Sequence, residues 1–195
     1  MDQHIGRMLD ALDDMGIAED TIVIFSTDHG HFIGHHGLVA KGPFHYEDLI
    51  RVPFIVRQPG TVPAGVVSDA IQSLVDLTPS FLDMAGTGTS HRTQGVSQLP
   101  VWTGAQPQAR DFAICENRHN NDMPHLTTLV TDTHKITTYK NADYGELFDL
   151  VNDPKEVNNL WDDPASQDIK AALLLRFVQA YMKSEPLRHD RVALA

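Results

Sequence analysis

Thr21-Ile-Val-Ile-Phe-Ser-Thr27 runs directly into Asp28-His29, and the fold turns on this stretch. Ile22 to Phe25 are apolar at every position. The run lacks the alternation of a strand with one wet face and reads as a strand buried on both faces, as in a parallel sheet covered by helices. Upstream, Ile5, Met8, Leu9, Leu12 and Met15 recur at helical spacing, and Gly16 is a natural stop. A helix followed by a buried strand is an α/β signal. In open α/β sheets functional residues collect beyond the carboxyl ends of strands, which is where Asp28 and His29 stand.

Downstream, a loop rich in Gly and His runs to Tyr46, and Val52–Arg57 reads as a second strand with Pro53 tolerated near its start. Residues 58–65 are turn chemistry, and residues 74–85 read as a helix turning Leu77, Phe81 and Leu82 inward and ended by Gly86. The polar stretch 87–109 is the candidate linker. Beyond it the pattern changes: residues 112–116, 127–131, 135–139 and 145–150 are four short strand candidates at close spacing, the mark of an antiparallel sheet. Residues 166–183 form a last helix with Ile169, Leu173, Leu174, Phe177 and Tyr181 on one face. The expected division is residues 1–109, an α/β core, and residues 110–195, a small four-stranded antiparallel sheet with a packed C-terminal helix.

Composition narrows the function. The 195 residues are 42% hydrophobic, ordinary for a folded chain, and carry a formal charge of −11, against the basic face of a nucleic-acid binder. The single cysteine, Cys115, excludes an intrachain disulfide. No stretch approaches the roughly 18 apolar residues that span a bilayer, so no membrane partner is expected. The first residues lack the apolar core of a signal peptide and open directly on a helix, as a chain missing upstream sequence would, so the compartment is not read from this end. The compartment is not fixed by these features; they lean slightly to the cytoplasm.

The segment from Phe25 to Lys41 holds most of the reactive side chains. Asp28 offers an oxygen ligand and His29 a nitrogen ligand at a strand exit, where the turning backbone lets both face one ion. Gly30, Gly34 and Gly37 let the loop approach closely, so Lys41 can return its ammonium to an anion held there. A capping Asp and a surface His are the plain alternative. His31, His35 and His36 invite a zinc reading, but three histidines in one glycine-rich loop do not preform a tetrahedral site, and local hydrogen bonding is preferred. His45 reads equally as a pocket residue or a surface one. Arg118 and His119, after the first strand of the small sheet, suit an anionic substrate, with a structural ion pair as the alternative. Tyr144, Phe148 and Trp161 read as packing aromatics.

Thr27-Asp-His-Gly30, Gly34-His-His-Gly-Leu38, Ala40-Lys-Gly-Pro43 and Arg51-Val-Pro-Phe-Ile-Val-Arg-Gln-Pro-Gly60 together resemble the later part of the sulfatases, in the alkaline-phosphatase-like superfamily. The likeness continues through Ser73-Leu-Val-Asp-Leu-Thr-Pro-Ser-Phe-Leu-Asp-Met-Ala-Gly86, Tyr144-Gly-Glu-Leu-Phe-Asp-Leu-Val-Asn-Asp-Pro154 and Asn158-Asn-Leu160. The resemblance implies the C-terminal part of a sulfatase fold and hydrolysis of a sulfate ester. It makes Asp28 and His29 ligands of a divalent cation, Ca²⁺ or Mg²⁺, and Lys41 the catalytic group that neutralises the sulfate. A small sulfated substrate follows. Sulfatases also use a formylglycine made from Cys or Ser in Cys/Ser-x-Pro/Ala-x-Arg, and two further aspartates at the metal. Cys115-Glu-Asn-Arg-His119 does not match that signature; Ser184-Glu-Pro-Leu-Arg188 matches five letters without the Leu-x-Thr-Gly continuation and is attributed to chance. The chain alone is therefore expected to be inactive, with self-association through exposed apolar surface. A phosphonate or phosphate ester hydrolase of the same superfamily, or a non-catalytic remnant, are the alternatives.

Overall fold

The computed structural model describes residues 1–88, 93–118 and 123–184. Helix α1 (Asp2–Asp14) leads into strand β1 (Val23–Phe25), which pairs with β4 (Ile55–Arg57) in the register Val23↔Arg57, Ile24↔Val56, Phe25↔Ile55. The pair is antiparallel and β1 is only half-buried, which corrects the parallel, doubly covered strand expected from the sequence. An apolar run shows that both faces favour cover, but it carries no information on the direction of the neighbour. The stripe on α1 is present in sequence, yet no residue of α1 is buried, with Met8 69% and Met15 61% exposed.

Between β1 and β4 lie the hairpin β2 (Phe32–Ile33) and β3 (Val39–Ala40) and the short helix α2 (Glu47–Ile50). Phe32 is buried edge-on against Tyr46 and fixes the hairpin to the segment leading into α2. After β4 come α3 (Leu77–Met84), preceded by a 3₁₀ turn at Leu74–Asp76, and α4 (Leu99–Trp102). The helix lies where expected, but its inner face is different: Asp76, Pro79 and Ser80 are buried, whereas Phe81 is 45% exposed. Asp76 decides this orientation. Its carboxylate accepts from the backbone N–H groups of Ser73 and Val96 and from Gln98 Nε2, and pairs with Arg110 Nη2 at 3.0 Å. A buried charge so completely partnered ties down its own turn of helix. The same bonds organise part of the stretch read as a linker: residues 93–109 contain α4, whose Trp102 is buried beside Phe54, while 89–92 lie outside the described residues.

Strands β5 (Ala113–Asn117), β6 (Leu126–Val130), β7 (His134–Tyr139) and β8 (Gly145–Asp149) form an antiparallel sheet in chain order, within two residues of the expected boundaries. Helix α5 (Gln167–Ser184) closes one face of it. Period-two alternation puts Leu129, Ile136 and Leu147 on the helix side, where they meet Leu173, Phe177 and Ala180. Each of these large side chains contributes about 1.5–3 kcal/mol by leaving water. Leu174 and Tyr181 pack at the edge of that core, but Ile169 is 43% exposed, one turn too early to reach it. The opposite face carries a polar row, Cys115–Thr128–Thr137–Glu146, in register across all four strands. Segment 44–50 rests on that face, so the sheet is covered on both sides and also supports the loop region around β2 and β3.

Candidate metal and anion site

Asp28 follows β1 after two residues and stands open, its side chain 82% exposed. The hydroxyl of Thr27 donates to Asp28 Oδ1 at 3.1 Å and the backbone N–H of His29 donates to the same oxygen at 3.0 Å. These bonds, the Thr27 hydroxyl first, hold the carboxyl below its ordinary value of 3.8. The other oxygen, Oδ2, lies 3.5 Å from His29 Nε2. His29 Nδ1 is 2.8 Å from the carbonyl oxygen of Gly30. A carbonyl only accepts, so Nδ1 carries a proton, and the tautomer with a single ring proton has its lone pair on Nε2, the nitrogen nearer Asp28 Oδ2.

Two adjacent ligand atoms around Ca²⁺, each about 2.4 Å from the ion, stand about 3.4 Å apart. The 3.5 Å separation of Oδ2 and Nε2 matches that edge. An imidazole oriented through its second nitrogen is the usual state of a metal-binding His. The spacing of residues 28 and 29 is thus compatible with two positions around such an ion, and among the described residues no cluster of three or more His, Cys, Asp or Glu could hold a metal by itself.

The loop that follows is pinned to α2. The N–H of Gly30 donates to the Leu49 carbonyl at 2.7 Å and that of His31 to the Asp48 carbonyl at 3.1 Å. Only glycine fits at position 30: a Cβ there would stand 1.9 Å from the Asp48 carbonyl oxygen. His35 bonds the Asp48 carboxylate through Nδ1, and His36 stacks on Tyr46 with ring centroids 3.8 Å apart. His35 thus makes a local hydrogen bond, whereas His36 is held by ring stacking and His31 is exposed. The register Ile33↔Val39, Phe32↔Ala40 folds the hairpin back on itself, so that Lys41 leaves β3 opposite the residues that follow Asp28-His29. Lys41 is exposed.

The other expected residues sit elsewhere. His45 is 8% exposed, its Nδ1 2.8 Å from Thr128 Oγ1 in the polar row of the sheet. Burial, aided by the nearby Lys135 charge, pushes its imidazole down to about 4, so it is neutral at physiological pH. This differs from the surface His that the sequence allowed. Arg118 is exposed at the end of β5 and bonds Glu116 and the Tyr181 hydroxyl, the structural ion pair given as its alternative. His119 lies outside the described residues. Burial pushes the Cys115 thiol up to about 11, so it is protonated at neutral pH and a poor nucleophile. An open recess of about 280 Å³ lined by Thr127, Thr138, Leu174, Phe177 and Tyr181 lies on the helix side of the sheet, the face opposite His45.

Sequence reasoning missed a buried ionic cluster between α2 and the sheet. Lys135 on β7, 1% exposed, pairs with Glu47 at 3.1 Å and with Glu156. Tyr46 and Tyr139 donate to the two oxygens of Glu146 at 2.9 and 2.8 Å. In the strand pattern Lys135 shares a face with Thr137 and Tyr139, which reads as a wet face until segment 44–50 is seen to cover it.

Residues 34–183 match the family model described as N-sulphoglucosamine sulphohydrolase, C-terminal. The chain belongs to the sulfatase family. It is 34% identical over 168 residues to an N-acetylglucosamine-6-O-sulfatase of Bacteroides thetaiotaomicron, covering 83% of this chain and 30% of that protein. A solved structure of a protein in complex with its substrate D-glucosamine-2-N,6-O-disulfate superposes with TM-score 0.82 at 30% identity, over 95% of this chain and 39% of that one. The phosphonate monoester hydrolase of Agrobacterium radiobacter shares the fold, with TM-score 0.82 at 24% identity over 94% of this chain and 39% of that one. The chain spans about a third of the length of the curated relatives it matches, and corresponds to the C-terminal part of a sulfatase. Among the described residues no helix is long and apolar enough to cross a membrane.

Proposed function

We propose that this chain is the C-terminal part of a sulfuric ester hydrolase. In this reading Asp28 and His29 hold a divalent cation, Ca²⁺ before Mg²⁺, and Lys41 neutralises the sulfate. The observation that carries the reading is the convergence of Asp28 Oδ2 and His29 Nε2 at 3.5 Å, with the His29 tautomer set by the Gly30 carbonyl. The cation supplies charge stabilisation to the sulfuryl oxygens as the ester bond breaks. Lys41 places a second positive charge on the same anion, and an interaction of this type is worth roughly 10²–10³ in rate. The family's formylglycine signature is not matched within residues 1–195, and Asp28 and His29 are two ligands of what this reading takes to be a larger set. The substrate is a small sulfated molecule. Likeness to proteins that act on sulfated glucosamines makes a sulfated amino sugar the first choice for assay.

The test uses the complete protein carrying this chain. Sulfate release from an aryl sulfate and from glucosamine 6-sulfate is compared with turnover of the aryl phosphate and phosphonate. Preference for sulfate, lost in Asp28→Ala, supports the proposal. Preference for the phosphonate ester, or activity indifferent to Asp28, overturns it.

A further inference from the structure

Resting on the functional reading above, we propose that Lys135, far from the site in sequence and buried in the sheet, is a positioning residue for the metal and anion groups. The argument begins at α2. Its carbonyls at Asp48 and Leu49 receive the N–H groups of Gly30 and His31, so the turn carrying Asp28 and His29 rests on that helix. Lys41 lies six residues before the first residue of α2, on the segment that runs straight into it. One four-residue helix thus anchors both halves of the site, and four residues are too few to hold a helix by backbone bonds alone.

The anchorage comes from the sheet. Lys135 Nζ reaches Glu47 Oε1 at 3.1 Å and also pairs with Glu156, and Glu156 Oε2 accepts the backbone N–H of Glu47 at 2.6 Å. The carboxylate of Glu156 therefore meets the first free N–H of α2 while Lys135 compensates its charge. Glu156 reaches this place from a backbone at φ 56, a left-handed conformation that a glutamate adopts only where the surroundings determine it. A burial of this completeness for a lysine, 1% exposed, and for Glu156, 3% exposed, is costly unless every charge is partnered. Losing the lysine should free α2 from the sheet before it disturbs the apolar core, which lies on the other face.

Lys135→Met alone strands two carboxylates, so the informative variant of the complete protein carrying this chain is Lys135→Met with Glu156→Gln. Amide hydrogen exchange is compared at Gly30, His31 and the centres of β6 and β7. The expected result is a selective loss of protection at Gly30 and His31, of about tenfold or more, with β6 and β7 unchanged. Mn²⁺ affinity at Asp28-His29 should weaken by about 10–100-fold, the usual effect of removing a residue that supports metal ligands. Exchange at residues 30 and 31 that stays as in the wild type, or that rises only in step with the sheet, overturns the inference. If the double variant does not fold, Glu156→Gln alone is judged by the same comparison. The exchange result decides the positioning role, whereas Mn²⁺ binding indifferent to Asp28→Ala defeats the metal reading and leaves the exchange result standing.

Discussion

Gly30 and Asp48 approach so closely that no side chain fits between them: a Cβ on residue 30 would lie 1.9 Å from the Asp48 carbonyl oxygen. The contact holds the turn after Asp28-His29 against α2. Gly30→Ala must push the turn off the helix and break the bonds from Gly30 and His31 to the Leu49 and Asp48 carbonyls. A loss of about 1–3 kcal/mol in denaturant unfolding is expected, the usual cost of overpacking. Metal binding at residues 28 and 29 should fall with it. An alanine variant as stable as the wild type would show that the turn is not clamped.

Lys41 gives the opposite combination. It is exposed, so Lys41→Ala should leave the melting temperature within about a degree or two, as for most surface substitutions. In the complete enzyme it should lower turnover by roughly 10²–10³. A stable variant with full turnover would remove Lys41 from the mechanism.

His45 predicts a pH dependence of stability. Burial lowers its imidazole from 6.5 to about 4 in the folded chain. Between those values the unfolded state binds the proton and the native state does not, so stability is full above 6.5 and falls as the pH drops toward 4. The loss is of the order of 2–3 kcal/mol. Glu156 acts with the opposite sign, because burial raises its carboxyl and the native state holds that proton more tightly. His45→Gln keeps a partner for Thr128 and removes the titration. Its unfolding free energy should be flatter with pH over that range; a slope equal to the wild type would mean that His45 is not buried neutral.

The exposed stripe of α1 predicts association. Met8 and Met15 are 69% and 61% exposed, and Val67 in the chain following β4 is 93% exposed. Apolar surface of this kind is a contact face or an aggregation liability. Sedimentation of the 195-residue chain at tens of micromolar should show species larger than monomer, reduced by Met8→Glu with Met15→Glu. A monomer that stays dispersed would contradict this.

The second half of the fold was legible because its physics is local. Leu129, Ile136 and Leu147 alternate with residues of the other face, and turn residues separate the strands, so pattern alone placed β5 to β8. The position of Asp28 and His29 just beyond β1 was legible for a related reason, since they follow an apolar run directly; their role at a metal is the proposal made above. The partner of β1 was not, since an apolar run does not reveal whether its neighbour runs parallel or antiparallel. Phe81 was misplaced because hydrophobic periodicity does not register Asp76, whose buried carboxylate sets which side of α3 faces inward. Lys135 was missed for the same reason. Its burial depends on Glu47 and Glu156, which are distant in sequence and come together only in the folded chain.

The pairing of Asp28 Oδ2 with His29 Nε2 as the two ends of one cation site is tested most directly by titrating paramagnetic Mn²⁺ into the isotopically labelled complete protein carrying this chain. Resonances of Asp28, His29 and Gly30 should broaden first, recover on addition of Ca²⁺, and remain sharp in Asp28→Ala. Broadening that persists in that variant, or that centres on the acidic residues of α1, would contradict the account.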